Sequence, residues 1–332
     1  MLKIGNISLP EFPLLLAPME DVSDPPFRRL CKMHGADLMY SEFISSEGLI
    51  RDAIKSRKKL DIFDYERPVG IQIFGGDEEA MALSAKIVET VEPDLVDINF
   101  GCPVKKVVCK GAGAGVLKDI DLMVRLTKAV VRSTHLPVTV KTRLGWDNDS
   151  INIDEVAERL QETGIKALTI HARTRAQMYK GQADWEHISR IKQNPNIEIP
   201  IFGNGDIDSP EKALEYKGKY ACDGMMIGRA AIGYPWIFNE IKHFFETGTL
   251  IRKPTISERL EAVRQHAEWS AEWKGEKTGL LEMRQHYSNY FRGIPHFKDF
   301  KRRFLEVFTL IEMEDLIAET AAFYQENEFS ER

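Results

Sequence analysis

Along the first 245 residues, short apolar and β-branched runs alternate with amphipathic stretches. The runs occupy residues 13–19, 37–43, 69–74, 95–100, 137–144, 167–173, 199–205 and 224–230. Each is almost continuously hydrophobic, the pattern of a parallel strand covered on both faces. Between them the period lengthens to that of a helix. One helix is predicted from Asp77 to Val91 and a second from Asp119 to Arg132, with Leu122, Leu126 and Val130 on one face. A third begins at Ile153, carries Val156 and Leu160, and stops at Gly164. Eight strand–helix units in series predict a closed (β/α)8 TIM barrel. An open doubly wound sheet would call for a GxGxxG turn after the first strand, which this chain lacks.

The alternation stops near residue 245. From Ser257 onward only helical patterns remain, over 257–274, 278–292, 297–309 and 311–326, punctuated by Gly275, Gly293 and Pro295. We therefore expect a catalytic barrel domain over 1–246 and an all-α helical bundle over 247–332. A length of 332 residues suits that division, since a barrel takes about 250. The net charge of −6 gives no global basic signature, so any polyanion must be met by a local patch. The four cysteines, Cys31, Cys102, Cys109 and Cys222, have no CxxC spacing. They fit a reducing, cytoplasmic setting. No basic leader and no apolar run of about 18 residues is present. A soluble protein without a membrane segment is expected, and nothing in the sequence calls for an obligate protein partner; a monomer is expected.

In such a barrel, chemistry sits at the C-terminal strand ends. Those ends carry Pro18 and Met19, Glu42, Gln72, Asn99 and Cys102, Lys141 and Arg143, His171 and Arg173, Asn204, Gly205 and Asp206, and Gly228 and Arg229. So many polar groups on one rim argue for an enzyme. The glycines of GNGDI (203–207) and IGRA (227–230), with helix starts at Ser209-Pro210 and after Arg229, suit a phosphate ester. Lys141 can hold negative charge on a reduced flavin, and Gln72 can pair with the pyrimidine edge of its ring. Together these indicate bound FMN. Cys102 follows Gly101 just past a strand, where a thiol can serve as nucleophile, metal ligand or proton donor. No other Cys or His has ligand spacing, so no metal is expected. Beside a flavin, proton donation is favoured. The GAGAG run (111–115) suggests a mobile lid. Cys31, at helical spacing with Phe27 and Leu30, belongs to a core; Cys222 is structural; Cys109 is the rival thiol.

APM (17–19), QIFG (72–75), NFGCPVKK (99–106), KTRLGW (141–146), IHARTR (170–175), GNGDI and MIGRA (226–230) stand in order along the chain. In this combination the sequence resembles the tRNA-dihydrouridine synthases, in particular their bacterial B-type branch, over about residues 10–245. The resemblance implies an FMN-dependent reductase of uridines in tRNA, driven by NADPH or NADH, with a helical RNA-binding tail. It implies that Pro18, Met19, Gln72, Lys141, His171, Asn204, Gly205, Asp206, Gly228 and Arg229 form the flavin site. It makes Cys102 the catalytic acid and Asn99 a uracil contact. Glu20 departs from the family, which has a small residue there; its backbone would serve the flavin.

Basic residues supply the tRNA track. Arg284, Arg292, Lys298, Lys301, Arg302 and Arg303 stand against one acid, Asp299, within 284–303. Tyr287, Tyr290 and Phe291 are interleaved with them, as base stacking would require, and 304–332 is acidic. Lys105, Lys106, Lys110, Arg143, Arg173 and Arg175 would extend the track to the barrel rim. Two other functions compete: a flavin dehydrogenase of free pyrimidines, which leaves the basic tail unexplained, and a tRNA-binding module in which the reductase chemistry is dispensable.

Overall fold

The computed structural model describes residues 1–326. The chain opens with a hairpin that the hydrophobic pattern is too short to reveal. β1 (Leu2–Ile4) and β2 (Ile7–Leu9) pair antiparallel about Gly5, whose φ of +60° suits glycine. β3 (Leu14–Leu16), β4 (Met39–Tyr40), β6 (Val69–Phe74), β7 (Leu95–Asn99), β8 (Val138–Arg143), β9 (Ala167–His171), β10 (Ile201–Asn204) and β11 (Gly224–Ile227) form the barrel. Their order is β3-β11-β10-β9-β8-β7-β6-β4, all parallel, with β5 (Ile44–Ser45) added to the end of β6. The ring closes where Asp37 N donates to Leu14 O (2.8 Å) and Leu16 N to Leu38 O (2.9 Å).

Alternation along each strand sorts two apolar layers. Leu15, Leu38, Tyr40, Phe202 and Met226 fill the interior, and Ile4 and Leu9 of the hairpin pack with them. Leu14, Leu16, Val96, Leu168 and Ile170 face outward, under the helices. The ring of helices comprises α1 (Pro25–Met33), α2 (Glu78–Glu89), α3 (Ile120–Val131), α4 (Ile153–Gln161), α5 (Glu186–Gln193), α6 (Pro210–Tyr220) and α7 (Ile237–Thr247). Asp24, Asp77, Asp119 and Ser209 accept from the first free N–H groups of α1, α2, α3 and α6.

Beyond Gly248, which closes α7 in the left-handed conformation, a capping box of Thr255 and Glu258 starts α8 (Ile256–Lys274). α9 (Glu276–Glu282), α10 (Arg284–Tyr290), α11 (Lys298–Phe304) and α12 (Leu310–Glu326) follow. The single helix expected over 278–292 is thus two. The one expected to reach 309 ends at Phe304, because Thr309 and Glu312 cap the next helix. The last six residues of the expected bundle lie outside the described residues.

These helices enclose their own core of Val263, Tyr287, Tyr290, Phe304 and Ile317. They also dock on α1. Phe27 lies 4.9 Å from the His286 ring, the Arg29 guanidinium 3.8 Å above Trp269, and Lys274 Nζ 2.7 Å from Asp24. Gly233 makes this approach possible: its φ is +62°, and a Cβ there would lie 2.2 Å from the His286 carbonyl oxygen. Gly233→Ala should therefore lower stability by about 1–3 kcal/mol through overpacking and strain. Gly218→Ala, within α6 and with nothing inside 4 Å of the added carbon, should be neutral or slightly stabilising. Thermal unfolding of the two variants decides; equal melting temperatures would refute the close approach.

Candidate active site

The C-terminal strand ends and the facing loop of the helical tail enclose a cavity of about 1380 Å³. Barrel register sets what meets there. Asn99 pairs with Lys141 across β7 and β8, and a second row runs Arg143, His171, Asn204, Met226. Pro18, Met19, Glu20, Asn99, Cys102, Lys141, Arg143, His171, Asn204, Gly205, Asp206, Gly228 and Arg229 all line this one space.

Cys102 sits on a turn that Asn99 builds. The Asn99 side-chain oxygen accepts from Gly101 N (2.9 Å) and Cys102 N (2.8 Å). Arg143 Nε donates to Gly101 O (2.7 Å), and Ala114 N donates to Cys102 O (3.0 Å). Most of the small residues after Cys102 are packed in this structure, while Gly111 is exposed. Gly113, Ala114 and Val116 are buried, and a Cβ on Gly113 would lie 3.0 Å from Cys102 O. Their smallness lets the chain fold back under the thiol. Only the turn carrying Lys105, Lys106 and Cys109 stands in solvent. Cys31 and Cys222 are buried, as expected.

Gln72 is corrected. Its amide is fully buried and does not reach the cavity wall; it donates to Asp97 (2.6 Å) and accepts from Asn99 (2.8 Å). Arg173, expected to meet RNA, is likewise buried. Its Nη2 donates to both oxygens of Asp206 (2.8 and 2.7 Å) and to Gly181 O (2.6 Å). Arg175 lies 4.6 Å over the Trp146 ring. Arg143 spends Nη1 on the carbonyls of Thr174 and Met178 (3.0 and 2.8 Å). Arg229 is more than half exposed and touches Asp206 at 3.0 Å. The Glu20 carboxylate pairs with Lys59 at 2.6 Å, and Lys59 also lies 3.4 Å from Glu42.

In the tail, Tyr287, Tyr290 and Phe291 are core residues, so they offer no stacking surface. Arg303 is tied to Glu319, and Arg284 lies 5.2 Å over Phe308. Arg292 and Arg302 are exposed, Lys301 is half-buried, and Arg292 also lines the cavity. Four residues escaped the sequence reading. Asp97 and Thr139 lie inside the barrel, Tyr179 is half exposed with Arg143 and Arg229 5.7 and 5.5 Å from its ring, and Asn289 reaches the cavity from the tail. A carboxylate within the apolar run LVDINF was a signal for Asp97. The others depend on contacts that only the folded chain makes.

Charge in the cavity is unevenly distributed. Burial pushes the Cys102 thiol above its ordinary value, although the Val104 N–H and Arg143 oppose this. The thiol is therefore protonated at neutral pH. Burial, reinforced by Lys141 and the nearby arginines, keeps His171 well below its usual range and hence neutral. Burial opposes ionisation of Asp206, but the bonds from Arg173 and Ala183 N prevail and hold it low. Lys141 has no hydrogen-bond partner among the described residues, and burial together with Arg143 brings it down to about 8. Lys141, Arg143, Arg229 and the glycines 205 and 228 thus suit a flat ligand that carries negative charge. Gly205 has φ +129°, which brings the backbone close to the cavity.

The chain resembles known proteins over most of its length. Residues 15–327 match the model of the dihydrouridine synthase family. The chain is 40% identical over 304 residues to tRNA-dihydrouridine synthase B of Pseudomonas aeruginosa, covering 92% of this chain and 91% of that one. It is 39% identical over 302 residues to the probable tRNA-dihydrouridine synthase of Rickettsia conorii, covering 91% and 90%. Among solved structures, morphinone reductase in complex with tetrahydroNAD superposes with a TM-score of 0.52 at 12% identity, over 76% of this chain and 91% of that one. The amine oxidase of Pseudomonas geniculata that acts on 6-hydroxypseudooxynicotine gives 0.59 at 11%, over 83% and 55%. At such identities these two speak for the barrel fold alone.

The lowered Lys141 has a consequence for stability. The unfolded chain holds that proton up to about 10.5 and the folded one only to about 8, so folding becomes more favourable as pH rises between the two. Lys141→Met should therefore raise the stability of the ligand-free protein at pH 7, by at most about 3 kcal/mol. The gain should shrink as pH rises from 8 toward 10. Thermal unfolding across that range checks it, and a pH-independent difference would refute the shift.

Proposed function

The chain belongs to the dihydrouridine synthase family, an oxidoreductase family, and from that premise we propose that it reduces the C5=C6 bond of specific uridines in tRNA, using bound FMN and NADPH or NADH. The observation that carries the proposal is the shared cavity: a protonated thiol, Cys102, and the Lys141 ammonium, without a hydrogen-bond partner among the described residues, line the same space.

The residues present fit the flavin. Gly205, Gly228 and Arg229 would take its phosphate, with Asp206 orienting Arg229 from behind. Lys141 would face the part of the ring that carries negative charge in its reduced form. Pro18, Met19, the Glu20 backbone, His171 and Asn204 would complete the walls. Bound there, the flavin supplies the hydride that reaches C6 of the uracil.

The chain's own residues do the rest. A uridine displaced from the tRNA stack enters the mouth, and Asn99 lies beside it on the turn that carries the thiol. Cys102 gives its proton to C5, where negative charge develops when hydride reaches C6. Water then returns a proton to the thiolate. Arg143 holds the turn through Gly101 and lowers the cost of that thiolate. Residues 1–246 act as the catalytic unit and 247–332 as the unit that holds tRNA. Lys105, Lys106, Arg292, Lys301 and Arg302 supply phosphate contacts, while Arg173, Arg175 and Arg303 hold protein groups in place.

Incubation with FMN, NADPH and tRNA lacking dihydrouridine, followed by mass spectrometry of the nucleosides, tests the reading. Dihydrouridine should appear in tRNA and not from free uridine. No product, or equal reduction of the free nucleoside, would overturn it. Cys102→Ala should slow single-turnover oxidation of the reduced enzyme by tRNA by ~10²–10⁴-fold, the usual cost of losing a positioned acid. Cys109→Ala should change it little. Equal rates for Cys102→Ala and the parent would remove the acid role.

Arg302→Ala should lower the slope of log affinity against log salt for tRNA by roughly 0.7–0.9. Arg303→Ala, already paired with Glu319, should lower it less. The reverse order would reassign the contact.

A further inference from the structure

We propose that Asp97 is the positioning residue that sets the direction of the side-chain hydrogen bonds running through Gln72 and Asn99 to the Cys102 turn. Its carboxylate lies in the barrel interior, almost wholly buried, on the strand that runs on into the Cys102 turn. Gln72, Asp97 and Thr139 are direct neighbours in one row across β6, β7 and β8. Thr139 Oγ1 donates to Asp97 Oδ1 (2.5 Å) and Gln72 Nε2 donates to Asp97 Oδ2 (2.6 Å).

The consequence is directional. An ionised carboxylate can only accept, whereas a side-chain amide has one accepting and one donating end. With Asp97 accepting, the nitrogen of Gln72 must face it and the oxygen must face away. That oxygen accepts from Asn99 Nδ2 (2.8 Å), which turns the Asn99 oxygen toward the turn. There it accepts from the N–H groups of Gly101 and Cys102 (2.9 and 2.8 Å). One acceptor midway along β7 thus fixes both amides, and through them the backbone bearing the thiol. Gln72, Asp97 and Thr139 are buried away from the cavity, so water cannot substitute for a missing partner among them. Gln72 is in this light a link in the chain that holds Cys102, which explains why it does not reach the cavity wall.

The geometry stands without any assumption about the reaction; its value for catalysis rests on the reading of Cys102 as the proton donor. Removing the acceptor frees Gln72 to turn over, and Asn99 with it. Its nitrogen would then face the N–H groups of the turn, donor against donor, and the turn would open.

The test reads Cys102 directly. In a Cys109→Ala background, with Cys31 and Cys222 buried, iodoacetamide labelling of the flavin-free protein followed by peptide mass spectrometry gives the rate at Cys102. Asp97→Leu, alike in branching though bulkier and unable to accept, should raise that rate about fivefold or more, the factor that one lost hydrogen bond represents. Asp97→Asn should stay within about twofold of the parent, because the Thr139 hydroxyl can accept as well as donate and leaves the amide oxygen for Gln72. If Asp97→Leu does not fold, as judged by its melting transition, Gln72→Met cuts the same chain one link higher and should give the same rise. Labelling at the parental rate in the folded variant overturns the proposal. So does an Asp97→Asn that labels as fast as Asp97→Leu, since charge and not acceptor direction would then be what matters. Single-turnover oxidation by tRNA should slow in Asp97→Leu and be spared in Asp97→Asn. Should Cys102→Ala still form product, the acid role falls while the labelling result stands.

Discussion

Everything in the mouth of this barrel depends on the ring being closed by two backbone hydrogen bonds, from Asp37 to Leu14 and from Leu16 to Leu38. Closure removes the free sheet edge and locks the register of all eight strands at once. Once register is fixed, side chains from distant parts of the chain meet in rows. Asn99 stands beside Lys141, and Arg143, His171 and Asn204 stand in line. A slip of one residue in any strand would turn these groups outward among the helices and put leucine or isoleucine in the cavity.

Polar groups inside such a ring survive only when their partners are complete. The barrel meets that condition in two ways. Below the mouth, Thr139, Asp97, Gln72 and Asn99 satisfy one another in a single directed chain. At the mouth, Asp206 is the counter-charge for Arg173 and Arg229, and that cost in burial is offset by the hydrogen bonds it accepts. Lys141 departs from this. Its ammonium has no hydrogen-bond acceptor among the described residues, and burial makes it easier to deprotonate. Stability would be better served by an apolar residue there, and a ligand with negative charge is what would make the ammonium favourable.

The helical tail is organised by the opposite priority. Most of its aromatic residues are spent on its own core and on the seam with α1, and Phe308 is the large aromatic it leaves exposed among the described residues. Several of its basic side chains are already tied to carboxylates or carbonyls. The exposed ones, Arg292 and Arg302 among them, are separated along the tail, and Arg292 reaches the cavity itself. A protein with a net charge of −6 thereby keeps positive potential local.

Hydrophobic period alone determined the barrel, because parallel strands buried on both faces must be apolar throughout, and helices under water must not be. It also placed most of the residues that reach the mouth, since position at a strand end follows from strand length. Sequence could not determine what those side chains touch. Arg173 and Arg303 read as free cations, yet one is folded inward onto Asp206 and the other is bound to Glu319. Gln72 reads as a cavity wall, yet its row places it against Asp97. The small residues at 111–115 read as flexibility, yet Gly113 and Ala114 fit beneath the Cys102 carbonyl. Tyr287 and Tyr290 read as stacking platforms, yet they are buried. In each case the residue type was legible and its partner was not. Partners are chosen by contacts between segments tens to hundreds of residues apart, and those contacts exist only after the ring has closed and the tail has docked.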